Sequence, residues 1–203
     1  MTDQSENNVL LDQLTRIADA LERQSPPPPD AGKLPRAEAY VWNSTSRNLA
    51  AIASVNRLDL ALLRGIDHQR DALLANSRAF AAGLSANNAL LWGARGMGKS
   101  SLIKAVHAKI VEDGGLHRPL LLVELAREDI ATVGRLLTHL AGLEANTLLF
   151  CDDLSFDYDD AAYKSLKTVL DGGLAGRPQN VLFYACLLYT SDAADEGLGV
   201  DLG

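Results

Sequence analysis

Four short apolar runs punctuate the second half of the chain: residues 89–92 (ALLW), 119–125 (PLLLVEL), 147–151 (TLLFC) and 181–185 (VLFYA). Each is continuous rather than alternating, so each predicts a strand buried on both faces. Helical patterns lie between them: Lys99–Asp113, closed by Gly114 and Gly115, then about 128–142, then about 160–171, closed by Gly172 and Gly173. That alternation predicts an α/β fold in which a parallel sheet carries helices on both faces, three layers in all. A further helix is predicted over 65–84, with Ile66, Leu73, Leu74 and Phe80 roughly along one face and Gly83 near its end. Residues 37–60, with Trp42, read as a mixed helical lead-in.

The N-terminal part is built differently. Residues 8–23 carry Leu10, Leu14, Ile17 and Leu21 at helical spacing, which predicts one amphipathic helix. It could dock on its own domain or hold a partner. Four successive prolines, 26–29, cannot continue a helix and favour an extended spacer, so a linker is placed at 24–36. No apolar run approaches the roughly 20 residues a membrane span needs. The polar, acidic start (MTDQSENNVLLDQL) shows no signal peptide. Cys151 and Cys186 make no disulfide framework and no zinc spacing, so a reduced, cytoplasmic setting is expected. A net charge of −7 argues against broad non-specific nucleic-acid binding, while leaving a local basic patch open.

The run GARGMGKS, residues 93–100, lies between a predicted strand and a predicted helix. It fits the phosphate-loop pattern G-x-x-x-x-G-K-[ST]. A triphosphate needs many inward-pointing donors, and successive backbone N–H groups in a glycine-rich turn supply them. Gly93, Gly96 and Gly98 meet that demand, with Ala94, Arg95 and Met97 between them and Ser101 just after. The next helix starts near Lys99 and adds its positive N-terminal end. Lys99 would reach the β- and γ-phosphates, and the Ser100 hydroxyl would ligate Mg²⁺. An ordinary glycine turn capping a helix is the alternative, and the strand–turn–helix context disfavours it.

Such a site needs a carboxylate near the metal. LLFCDD, residues 148–153, ends a buried strand in two aspartates, at the sheet edge where ligands bind in parallel α/β folds. Asp152 would hold the Mg²⁺ shell and Asp153 would orient or activate the attacking water. An acidic loop extended by Asp157, Asp159 and Asp160 is the plainer alternative. His68, His107, His117 and His139 are scattered and read as surface or helix-face residues. Cys151 reads as core rather than nucleophile. Lys164 and Lys167 read as a solvated helix face.

Taken together, residues 60–185 resemble an AAA+ ATPase, and more closely a bacterial AAA+ family described only as a domain of unknown function. GARGMGKSS and FCDDLSF carry the resemblance, with LLRGIDHQRDALL, LLLVELAREDIATVGRLL and RPQNVLFYA. It implies a P-loop NTPase core over 37–185, Mg²⁺-dependent ATP binding, and ATP hydrolysis in an oligomer or with a protein partner. It implies that Gly65 and Ile66 lie near the adenine. AAA+ proteins usually carry glutamate where Asp153 stands. They also place a polar sensor after the strand matching VLFYA, then a last strand and a helical lid. Here CLLYTSDAADEGLGVDLG follows. Residues 186–203 are therefore expected to be a non-native, adapter-like tail. The strand before the glycine turn would then be an exposed sheet edge, and turnover would be weak. Two other readings stand beside the ATPase: an ATP-dependent switch or loader that hydrolyses slowly, and a small-molecule kinase, whose arginine-bearing lid and acceptor pocket are not visible.

Overall fold

The computed structural model describes residues 13–17, 34–154, 177–188 and 198–202, and of Asp153 the backbone alone. The chain divides into two compact units, Met1–Asp30 and Ala31–Gly203. In the first, residues 13–17 are helical and exposed. The helix expected at 160–171, with Lys164 and Lys167, lies outside the described residues.

The second unit is built on one seven-stranded sheet. Its strands are β1 (Ala39–Asn43), β2 (Asn48–Ile52), β3 (Ala89–Gly93), β4 (Leu120–Leu125), β5 (Asn146–Leu154), β6 (Val181–Leu188) and β7 (Gly199–Asp201). The order across the sheet is β2-β1-β4-β5-β6-β3-β7. The five inner strands run parallel. The two edge strands, β2 and β7, run antiparallel to their neighbours. Among the described residues three α-helices cover the sheet: α1 (Asp67–Ala81), α2 (Lys99–Asp113) and α3 (Val133–Ala141).

Strand alternation divides the core in two. Leu122, Leu148, Phe150, Leu182 and Tyr184 face α1 and α2, where they meet Leu73, Phe80, Leu102 and Val106. Val123, Leu149, Cys151, Phe183 and Ala185 face α3 and meet Leu136 and Leu140. The fully buried leucines and valines contribute about 1.5–3 kcal/mol each relative to exposure. These two apolar layers explain why the inner strands read as unbroken apolar runs.

The expectation of a three-layer, mainly parallel α/β sheet is met, with five corrections. The segment read as a helical lead-in forms the β1–β2 hairpin, followed by a 3-10 turn over Leu60–Leu62. A six-residue 3-10 stretch, Arg127–Thr132, precedes α3. The strand expected to end at Cys151 continues to Leu154, with a register irregularity after Cys151, so Asp152 and Asp153 belong to β5 rather than to a loop. The strand expected to end at Ala185 runs to Leu188, and β3 is no edge: β7 pairs along it through Leu90, Leu91 and Trp92.

Candidate functional site

The parallel strands all point their C-terminal ends to one side of the sheet, and β3 ends there at Gly93. The chain then turns through residues 94–98 into α2. Gly96 and Gly98 have φ of 83° and 85°. A Cβ on either would meet nothing within 4 Å, so the backbone angle itself is what demands glycine. Gly98 caps α2 without any side-chain bond, and its carbonyl accepts from Leu102 N–H at 2.8 Å. The first N–H groups of the helix therefore face outward, with the positive end of its dipole.

Lys99 is 4% exposed. Its Nζ donates to the carbonyls of Gly93 at 2.8 Å and Ala94 at 2.9 Å. A buried ammonium is costly unless hydrogen-bonded, and the loop's own carbonyls hold this one across the turn. Ser100, one residue on, donates its hydroxyl to a carboxylate oxygen of Asp152. Those two residues lie 52 positions apart and come together across β6, which separates β3 from β5. The structure thus assembles Gly93, Gly96, Gly98, Lys99, Ser100 and Asp152 at one point. Arg95 and Met97 are exposed at the loop tip, and Ser101 lies in the first turn of α2. Gly65, at φ 78°, and Ile66 stand at the entrance to α1, which packs against α2.

One residue of the site escaped the sequence reading. Cys186 sits on the α2 face of β6, beside Ser100 and Asp152. Burial pushes its thiol pKa up, the Asp152 carboxylate adds to this, and a Ser100 hydrogen bond opposes it. The signal was available in the alternation Leu182, Tyr184, Cys186, once β6 is known to continue past Ala185. Cys151, on the opposite face, is fully buried. Burial raises its pKa to about 12, with the carboxylates of Asp152, Glu124 and Glu128 adding, so it is an inert core thiol as expected.

The histidines lie on the surface or on helices, as expected, and two of those on helices are turned inward. His68 and His117 are exposed. His107 is 4% exposed, with Nε2 2.9 Å from the Leu120 carbonyl oxygen. His139 stacks obliquely near Trp42, ring centroids 6.2 Å apart. Neither the buried His107 nor the half-buried His139 has a contact with the glycine turn.

Among the described residues no group of three or more His, Cys, Asp or Glu could cage a metal. The Ser100 hydroxyl and Asp152 carboxylate are instead a pair of hard oxygens beside the glycine turn. That donor set fits Mg²⁺, which is held by one or two protein ligands together with phosphate oxygens and water. Among the described residues no helix is long and apolar enough to cross a membrane.

A family model described as "Protein of unknown function (DUF815)" matches residues 35–188. No curated protein matches the chain. Among solved structures, the Thermotoga maritima RuvB Holliday junction branch migration motor is similar at 18% identity and a TM-score of 0.37, over 62% of this chain and 41% of that one. Drosophila ORC bound to DNA is similar at 12% identity and a TM-score of 0.42, over 78% of this chain and 46% of that one. This chain spans less than half the length of either.

Proposed function

The chain belongs to the DUF815 family, and from that premise we propose that it is an AAA+ type ATPase, binding ATP and hydrolysing it to ADP and phosphate. The observation that carries the reading is the meeting of the Ser100 hydroxyl with Asp152 next to the buried Lys99, at the helix end opened by a glycine turn. In this reading the backbone N–H groups of residues 94–100 cradle the phosphates. Lys99 exchanges its two carbonyl partners for the β- and γ-phosphate oxygens. Ser100 and Asp152 hold Mg²⁺. Bound there, the ion supplies charge neutralisation at the phosphates. Asp153, next on β5, orients the attacking water. Gly65 and Ile66 border the adenine. Catalysis is then a matter of positioning and charge stabilisation rather than of a covalent intermediate.

The test is Mg·ATP binding and turnover by the protein beside Lys99→Ala. The substitution removes a charged donor to two phosphates, and ATP affinity is expected to fall about a hundredfold or more. Equal binding by both proteins would sink the reading.

A slow nucleotide-dependent switch has one observation in its favour. Leu14 and Ile17, one turn apart on the N-terminal helical segment, are 54% and 56% exposed, as a partner-holding helix requires. Tight, ATP-dependent capture of a partner with little turnover would favour it. In either form the site works with a protein partner or further copies of the chain.

A further inference from the structure

Glu124 is a carboxylate on an inner strand of the sheet. It lies in β4, between Val123 and Leu125, both fully buried. Those neighbours point to the α3 face, and Leu122 points to the other. Alternation therefore turns Glu124 toward the α1–α2 side, the face that carries Asp152 and Ser100. Its register partner on β5 is Phe150. Asp152 follows two residues later on the same face, a diagonal neighbour across adjacent parallel strands. The α2 side chain over this spot is Lys104, whose Nζ stands 5.8 Å from the Phe150 ring centre. Glu124 is half-buried, and among the described residues its carboxylate has no hydrogen-bond or ion-pair partner. A half-buried carboxylate without a partner is costly. An apolar residue in this row would cost nothing.

We propose that Glu124 is a catalytic carboxylate of the phosphate site, the group that takes the proton from the attacking water. The proposal rests on the ATPase reading. Water oxygen forms the new bond to the γ-phosphorus, and the bond from that phosphorus to the bridging oxygen breaks. The bridging oxygen leaves on ADP with the electron pair. The water proton passes to the Glu124 carboxylate and from there to solvent. Asp153, one methylene shorter, keeps the orienting role. Glu124 and Asp153 belong to adjacent strands, β4 and β5.

The experiment compares the full chain with Glu124→Gln, Asp153→Asn and Lys99→Ala, reading single-turnover hydrolysis, ATP affinity and thermal unfolding. Glu124→Gln keeps the shape and removes the proton acceptor. Its turnover is expected to fall about a hundredfold or more, with ATP affinity within about threefold of the parent, since a proton acceptor acts in the transition state. Its unfolding temperature is expected to hold or rise, because an unpaired carboxylate has been neutralised. Parental turnover in Glu124→Gln overturns the role of Glu124 and leaves the ATPase standing. A loss of turnover accompanied by a lower unfolding temperature overturns it also, since Glu124 would then be structural. A parent that binds ATP through Lys99 without hydrolysing it overturns Glu124 as a base and favours the switch. A parent that binds no ATP removes the ATPase reading itself.

Discussion

His107 sits in the middle of α2 with one ring nitrogen on the Leu120 carbonyl and the other, Nδ1, without a partner. Burial pushes its pKa below the usual 6.5. The Leu120 bond opposes that shift, Arg57 reinforces it, and Glu38 opposes it. The folded protein thus prefers the neutral ring, while the unfolded chain takes up a proton below pH 6.5. Stability is therefore fully present above that value and falls as the pH drops through it. Burial lowers His139 as well, in the same direction. Urea unfolding at about pH 7.5 and about pH 5.5 checks this. The parent should lose stability on acidification, and His107→Gln should lose less. An equal acid loss in both would assign the effect to His139. The same scale shows what a sequence can and cannot disclose. Lys99 and Ser100 of the candidate site were legible because the pattern that marks them lies within eight consecutive residues. Asp152 was legible because it ends an apolar run. Glu124 and Cys186 were not, because their places depend on strand register, and register follows from which strands pair.

The β1–β2 hairpin stands where the sequence pattern predicts a helical lead-in, although its own residues explain it. Tyr40 and Trp42 alternate with Ala39 and Val41, and aromatic and β-branched residues favour the pleated surface. The turn is polar, with Arg47 at φ 53° and Ser46 N–H donating to Asn43 Oδ1 at 2.9 Å. The run AYVWN is only five residues long and the partner strand NLAAI is weakly patterned, so the pairing lies in their combination rather than in either alone. The longer elements were found because their signals are local: α2 was bounded correctly at both ends by Gly98 and Gly114. The hairpin also has a tertiary anchor. Trp42 is 2% exposed and donates Nε1 to Thr132 Oγ1 at 2.9 Å, tying β1 to the turn that opens α3. Trp42→Ala should cost about 3–5 kcal/mol, the range for truncating a buried tryptophan. Trp42→Phe should cost less, because most of the packing remains and one hydrogen bond, worth about 1 kcal/mol, is lost. Denaturant midpoints of the two variants decide the order. Equal stability of both with the parent would mean that the hairpin is not anchored through this ring.

At the scale of the whole sheet the issue is its two edges. An uncovered strand presents unpaired N–H and C=O groups and invites association. The edge beside β1 is closed by β2, inside the family match. The edge beside β3 is closed by β7, whose residues lie beyond it. β7 is only three residues long, so its neighbours must hold it. Leu198 is 3% exposed, its carbonyl accepts from Gln69 Nε2 at 2.6 Å, and the Leu202 carbonyl accepts from Asn87 Nδ2 at 3.2 Å. The tightest restraint is Gly199, which packs against the indole of Trp92: a Cβ there would stand 2.0 Å from Trp92 Cε2. That distance is below any real contact, so Gly199→Ala forces either the ring or the strand to move. If the strand leaves, the buried Leu198 returns to water at about 1.5–3 kcal/mol, and the β3 edge beside the glycine turn is bared. The variant should therefore unfold at lower denaturant by an amount in that range and associate with itself at concentrations where the parent does not. Val200→Thr, on the same strand without the clash, should change little, which separates a local effect of β7 from general weakness of the C-terminus. An unchanged midpoint and mass for Gly199→Ala would mean that β7 does not close this edge, and that β3 is open to another strand.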